Sequence, residues 1–238
     1  MRPPPAFDPQ FTIFGHRGAA GCAPENTLLG FHTAIAQGVS WIECDVQAHP
    51  EALLLFHDDL LRRTTGARGR LLDTPLAALK ALDAGGGNTI PTLRETLTAL
   101  QGKVGLNIEL KAGDAVAERT GEALCLAVEG GWDPAQLLVS AFDHAVLQRF
   151  CLAAPQIPVA PLFDRPSPRM IEVARALDAA AIHIGLAVAT PIVLSALSAS
   201  GFPIHVYTVN QPTLAERLRE RGVSGIFTDY PQRFILRD

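Results

Sequence analysis

Two short runs carry more acid than a buried strand normally holds. In Trp41-Ile42-Glu43-Cys44-Asp45-Val46, strand alternation puts Ile42, Cys44 and Val46 on one face and Glu43 and Asp45 on the other. In Leu106-Asn107-Ile108-Glu109-Leu110-Lys111, the same alternation sets Asn107, Glu109 and Lys111 opposite an apolar face. In a parallel sheet covered by helices, the apolar faces meet the helices and the polar faces point into a barrel mouth. Three carboxylates converging there repel one another unless something compensates. A divalent cation does so, and an all-oxygen donor set selects a hard ion, Mg²⁺ or Ca²⁺, over zinc. Ion pairs with Lys111 and Arg17 are the alternative, and spacing leaves the two open.

Histidines stand beside these acids. His16 ends one apolar run and is followed by Arg17-Gly18; His57 ends another and is followed by Asp58-Asp59. Paired imidazoles suit acid and base roles near neutral pH. Arg17 and Lys111 add fixed positive charge, which suits a phosphoryl group. The set reads as metal-assisted chemistry on a phosphate ester. His32, His49, His144, His183 and His205 fall on expected helices, loops or mid-strand and join no such pattern. Cys22, Cys44, Cys125 and Cys151 match no zinc spacing and read as thiols in a reducing compartment, Cys22 as a loop filler.

The elements that must position these groups are short apolar runs alternating with helical segments, the pattern of βαβ units. Strands are expected at residues 11–16, 41–47, 104–110, 137–141, 159–163, 180–184, 204–209 and 225–228, with an extra strand at 53–56. A helix is expected over 26–37, ending at Gly38, and another from Gln211-Pro212 to Gly222. Eight strand–helix units imply a TIM (β/α)8 barrel, one domain over residues 1–238. The rival is an open doubly wound sheet, but Gly15-His16-Arg17-Gly18 is not a dinucleotide-binding turn. Residues 60–90, with Arg62, Arg63, Arg68, Arg70 and a Gly85-Gly86-Gly87 run, read as an insertion after strand two lying over the mouth.

Composition narrows the class. Of 238 residues 48% are hydrophobic, enough for a large core, and Gly and Pro number 20 and 18, too few for disorder. Net charge is −4, which argues against a nucleic-acid partner. The start, Met1-Arg2-Pro3-Pro4-Pro5, holds no export signal, so the cytoplasm is the expected location. Residues 179–215 contain no Asp, Glu, Lys or Arg, but Gly185, Pro191, Gly201 and Pro203 divide them into strand, helix, strand. No stable membrane insertion is expected.

The ordered motifs Gly15-His16-Arg17-Gly18, Ala23-Pro24-Glu25-Asn26-Thr27, Glu43-Cys44-Asp45, His57-Asp58 and Asn107-Ile108-Glu109-Leu110-Lys111 resemble the glycerophosphodiester phosphodiesterase family. Ser140-Ala141-Phe142-Asp143, Val206-Tyr207-Thr208-Val209-Asn210 and the segment from Gly222 to Asp229 extend the resemblance to residues 11–233. With Tyr at 207 rather than Trp, the chain is most similar to the cytoplasmic bacterial type. The resemblance implies a TIM barrel with a small insertion after strand two. It implies one divalent cation, Mg²⁺ or Ca²⁺, on Glu43, Asp45 and Glu109, His16 as general acid and His57 as general base. It also implies phosphate binding by Arg17 and Lys111, with Phe142 and Tyr207 lining the glycerol or leaving-group side.

The implied activity is hydrolysis of small-molecule glycerophosphodiesters to glycerol 3-phosphate and an alcohol, by water or by the neighbouring glycerol hydroxyl. Alternatives are a phospholipase D-like phosphodiesterase acting on lysophospholipids, a catalytically inactive barrel that binds, and a Mg²⁺ barrel abstracting protons from carboxylate substrates. Two departures from the family pattern stand out. Ala48-His49-Pro50-Glu51-Ala52 replaces the usual Asp-Gly turn before His57, and Ser224 stands where Asp is common.

Overall fold

A computed structural model gives the fold and describes residues 2–235. In chain order the first half comprises β1 (Thr12–Gly15), α1 (Leu28–Ala36), β2 (Trp41–Ala48), β3 (Leu53–Leu55), α2 (Arg62–Thr65), α3 (Leu76–Lys80), α4 (Leu93–Leu100), β4 (Gly105–Leu110) and α5 (Val116–Glu129). The second half comprises β5 (Leu137–Ala141), α6 (His144–Ala153), β6 (Val159–Phe163), α7 (Met170–Ala176), β7 (Ile182–Gly185), α8 (Pro191–Ser198), β8 (Ile204–Tyr207), α9 (Pro212–Arg219) and β9 (Gly225–Thr228). Parallel pairing runs β1-β2-β4-β5-β6-β7-β8-β9 and returns to β1, closing an eight-stranded barrel; β3 is antiparallel to β2. The TIM barrel expected from the sequence forms, and the open sheet does not. Met1 and residues 236–238, the ends of the expected 1–238 domain, lie outside the described residues.

Boundaries shift where side chains have other work. β1 stops at Gly15 and β8 at Tyr207, short of the expected ends at 16 and 209. The helix expected from residue 26 starts at Leu28, because Thr27 is its N-cap, with Oγ1 accepting from Gly30 N at 3.0 Å. Asn26 has φ 53 and stays outside the helix. The last long helix ends at Arg219, before the expected Gly222.

Register on β2 decides where His57 goes. β4 covers one edge of β2 from Trp41 to Val46. The other edge is shared: β1 covers Trp41 and Ile42, while β3 covers Val46 to Ala48. β2 therefore outruns β1, and β3 stands on the rim beyond the end of β1. The turn into β3 forms without Asp-Gly. Ala52 N donates to His49 O at 3.2 Å, Glu51 N donates to His49 Nδ1 at 3.2 Å, and His49 Nε2 meets Thr74 O at 3.0 Å. Ser224 is structural as well, its Oγ accepting from Ile204 N at 3.3 Å.

Alternation separates two cores. Outward residues such as Ile42, Cys44, Val46, Ile108 and Val139 pack with Phe31, Leu97 and Leu124 of the helices. Inward residues Phe14, Trp41, Leu138, Ala160 and Phe227 fill the lower barrel. Gly105 admits the Trp41 indole, since a Cβ there would lie 2.6 Å from its ring. Phe7 closes the floor, its ring centroid 5.3 Å from Trp41 and 4.7 Å from His205. The insertion has its own small core of Leu61, Leu71, Leu79 and Ile90 against Leu54 and Phe56. The uncharged stretch becomes β7, α8 and β8, and no helix among the described residues is long and apolar enough to cross a membrane.

Candidate active site

Above the aromatic floor the inward positions turn polar. β2 supplies Glu43, Asp45 and Gln47; β4 supplies Asn107 and Glu109, with Lys111 one residue past its end. In the register Asp45 stands opposite Glu109. One oxygen from each of Glu43, Asp45 and Glu109 lies within 4.8 Å of the others. Glu43 and Asp45 are 3% and 1% exposed, so water screens them poorly.

The turn after β1 brings cations to this group. Arg17 has φ 51, a left-handed conformation held by its surroundings, and its backbone N–H donates to Glu43 Oε2 at 2.9 Å. Gly18 follows at φ 89, and a Cβ there would lie 2.6 Å from the Gly30 backbone. Arg17 Nε approaches Asp45 Oδ2 at 3.3 Å, and Lys111 Nζ donates to Glu109 Oε1 at 2.8 Å. Asn26 braces Asp45 twice: Nδ2 donates to Oδ2 at 2.8 Å, and Oδ1 accepts from Asp45 N at 3.1 Å. The ion pairs foreseen as an alternative thus exist, but they leave Asp45 Oδ1 buried without a hydrogen-bond partner among the described residues.

Charge remains unbalanced. Burial, with the charges of Asp45 and Glu109, pushes the Glu43 carboxyl well above its ordinary range. Burial and Asp45 push Glu109 up to about 7 despite Lys111. Burial also works against the Lys111 ammonium, yet Glu109 and Asp45 outweigh it and hold it above its usual value. Three carboxylate donors, Asp45 among them with an orphaned oxygen, fit a hard divalent cation, which would relieve the repulsion the two side-chain cations leave.

Both histidines have carboxylate partners. His16 Nδ1 meets Asp229 Oδ1 at 2.7 Å, and His16 Nε2 lies 4.0 Å from Glu43 Oε2. Asn210 fixes Asp229, donating from Nδ2 to Oδ2 at 2.7 Å and accepting from Asp229 N at 2.9 Å. His57 Nδ1 meets Asp58 Oδ1 at 2.6 Å. Gln47 holds that segment from β2, donating to Phe56 O at 2.9 Å and Asp58 O at 2.8 Å. Burial lowers His57 below its ordinary value, although Asp45 and Asp58 oppose the shift. Phe142 and Tyr207 meet edge-to-face at 5.9 Å, with Lys111 Nζ 5.9 Å from the Phe142 centroid.

The structure therefore gathers Glu43, Asp45, Glu109, His16, Arg17 and Lys111 at the mouth. It sets Phe142 and Tyr207 beside Lys111, and it joins His57 to Arg17 through Asp58, Arg63 and Glu25 rather than by a direct bond. Asn26, Gln47, Asp229 and Asn210 were not foreseen. Asp229 had a signal, since it stands two positions past inward Phe227 in strand alternation.

Residues 16–233 match the model of the glycerophosphoryl diester phosphodiesterase family. The chain belongs to this family. Among its relatives, the glycerophosphodiester phosphodiesterase of Bacillus altitudinis is 32% identical, covering 94% of this chain and 96% of the relative. That of Caldanaerobacter subterraneus subsp. tengcongensis is 30% identical, covering 94% and 96%. A phosphodiesterase of Oleispira antarctica, solved in complex with the product sn-glycerol-3-phosphate, superposes with TM-score 0.87 at 34% identity, covering 94% of each chain. The protein is thus a phosphoric diester hydrolase of the glycerophosphodiester phosphodiesterase family, built on that family's barrel.

Proposed function

We propose that this chain hydrolyses glycerophosphodiesters to glycerol 3-phosphate and an alcohol with one divalent cation, Mg²⁺ or Ca²⁺, on Glu43, Asp45 and Glu109. The convergence within 4.8 Å of three carboxylates, Glu43 and Asp45 buried and Glu109 partly so, beside two histidines and two side-chain cations carries the reading. The Oleispira relative's product complex supports the glycerol 3-phosphate half.

The cation, when bound, neutralises charge on the phosphoryl oxygens. Arg17 and Lys111 orient those oxygens from either side of Asp45. His57, whose neutral form burial favours, takes the proton of the attacking hydroxyl. His16, fixed through Nδ1 on Asp229, presents Nε2 toward the carboxylates and delivers a proton to the leaving alkoxide. Phe142 and Tyr207 form an aromatic wall for the glycerol or the leaving alcohol.

A site that reads the glycerophosphate half tolerates many alcohols on the other. Glycerophosphocholine, glycerophosphoethanolamine and glycerophosphoglycerol are expected to be turned over within roughly tenfold of one another, about 1.4 kcal/mol. Long-chain lysophospholipids are expected to be much poorer, in keeping with a cytoplasmic enzyme that does not insert in membranes. A glycerol 3-phosphate release assay across this panel tests it. A lysophospholipid turned over faster than every deacylated diester would replace this reading with the phospholipase D-like one.

A further inference from the structure

Arg63 comes from α2, inside the insertion, yet its guanidinium grips two carboxylates of the site. Nη1 and Nη2 donate to Glu25 Oε2 and Oε1 at 2.6 and 2.8 Å, and Nε donates to Asp58 Oδ2 at 2.5 Å. Both carboxylates have a second partner. Glu25 Oε1 accepts from Arg17 Nη1 at 2.9 Å, and Asp58 Oδ1 holds His57 Nδ1 at 2.6 Å. One continuous run of contacts therefore joins Arg17, Glu25, Arg63, Asp58 and His57. Its neighbours Arg62 and Arg68 make no ion pair among the described residues, so the grip is specific to Arg63.

The electrostatics give this bridge a task. Glu25 would otherwise spend its full charge on Arg17, the side chain offered to phosphate. Asp58 would otherwise put its full charge on His57. Burial alone would raise Glu25, but hydrogen bonds and charge from Arg63 and Arg17 hold it below the ordinary carboxylate range. Arg63 is 48% exposed along its side chain, so its ion pairs add little stability. Its planar fork fixes direction instead, bidentate on one acid and single on the other.

We propose that Arg63 is a positioning residue through which the insertion enters the active site: by holding Glu25 and Asp58 it keeps Arg17 open to phosphate and His57 aimed at the nucleophile. The proposal rests on the glycerophosphodiesterase reading above. Wild-type turnover of glycerophosphocholine is therefore measured first, and its absence overturns that reading rather than this one.

With wild type active, Arg63→Ala is expected to lose about 10²-fold in kcat/KM, through both a lower kcat and a higher KM. Arg63→Lys, which keeps charge but not the fork, is expected to lose about tenfold. Added guanidinium restores part of the Arg63→Ala activity, while its thermal midpoint stays near wild type. The double variant Arg63→Ala/Glu25→Gln separates the two arms: KM returns toward wild type because Arg17 is released, and kcat stays low because His57 is not. Unchanged kcat/KM in Arg63→Ala overturns the proposal, as does a loss matched by unfolding and unrescued by guanidinium. If Arg63→Ala does not fold, Arg63→Lys decides, and full kcat/KM in that variant overturns it.

Discussion

The Asp229 carboxylate accepts from His16 Nδ1 at 2.7 Å, and Asp58 meets His57 Nδ1 at 2.6 Å, so the two histidines are braced through the same ring nitrogen. The braces differ in what stands behind them. Asp229 is held by the neutral amide of Asn210, Asp58 by the Arg63 guanidinium. Hydrogen bonds from Arg63, ahead of the opposing burial, hold Asp58 down at about 2. Similar geometry thus serves two rings in unlike electrostatic settings, as the proposed acid–base pair requires.

Asp229→Asn tests the first brace. The amide keeps the shape but cannot accept as a carboxylate, and it can turn a donor toward Nδ1. A carboxylate behind a reacting imidazole sets its tautomer as well as its direction, so kcat is expected to fall by about 10²–10⁴-fold with KM little changed. Asn210→Ala, which frees Asp229, is expected to move kcat the same way by less. Steady-state kinetics on glycerophosphocholine decides; an Asp229→Asn kcat equal to wild type removes the brace from the mechanism.

The carboxylate cluster predicts a cation dependence with a binding readout. Exhaustive chelation is expected to abolish turnover, and Mg²⁺, Mn²⁺ or Ca²⁺ to restore it. Glu43→Gln exchanges one of the three charged donors for a neutral amide oxygen and is expected to weaken Mn²⁺ binding, read by electron paramagnetic resonance titration, by more than tenfold, about 1.4 kcal/mol. Full activity after chelation would show that the ion pairs of Arg17 and Lys111 suffice.

How much of this was legible follows from which contacts are local. Period-two alternation put Glu43, Asp45 and Glu109 on the inward faces where they cluster, because β2 and β4 are covered on their outer faces and a polar residue has only the barrel interior to enter. Asn26 was hidden inside an apparent helix; its φ of 53, which aims its amide at Asp45, is set by the turn from Arg17 and not by periodicity. Arg63 was hidden because α2 spans Arg62–Thr65, too short to show a face, and its Glu25 partner is 38 positions away. His183 and His205 each looked unremarkable, since their pairing arises only from the β7–β8 register.

The two histidines proposed as acid and base are separable by leaving group. General acid–base groups contribute ~10²–10⁴-fold, so His16→Ala and His57→Ala are each expected to lose turnover on that scale with the fold retained. An aryl phosphodiester leaves without protonation. It is expected to rescue His16→Ala and not His57→Ala, and the reverse result exchanges the two roles.

Buried histidines predict acid sensitivity of the fold itself. His205 Nδ1 and His183 Nε2 lie 3.1 Å apart, both rings 0% exposed, against Phe7, Phe14 and Phe227. Burial lowers His205 from its ordinary 6.5 to about 3, and burial with His205 lowers His183 well below its own. The unfolded chain binds these protons near pH 6.5 while the folded chain refuses them. Stability from the pair is therefore complete above the unfolded value and is lost as pH falls from 6.5 toward 3. Each histidine contributes a slope of about 1.4 kcal/mol per pH unit in that window. Glu43 and Glu109, raised by burial and mutual repulsion, act in the opposite sense, and Asp58, Glu25 and Asp229 join only at lower pH. The comparison that isolates the pair is urea unfolding of wild type and His205→Gln from pH 7 to pH 4.5. Wild type is expected to lose stability more steeply, by about one histidine's slope of 1.4 kcal/mol per unit. Parallel curves would mean that His205 already takes its proton in the folded barrel.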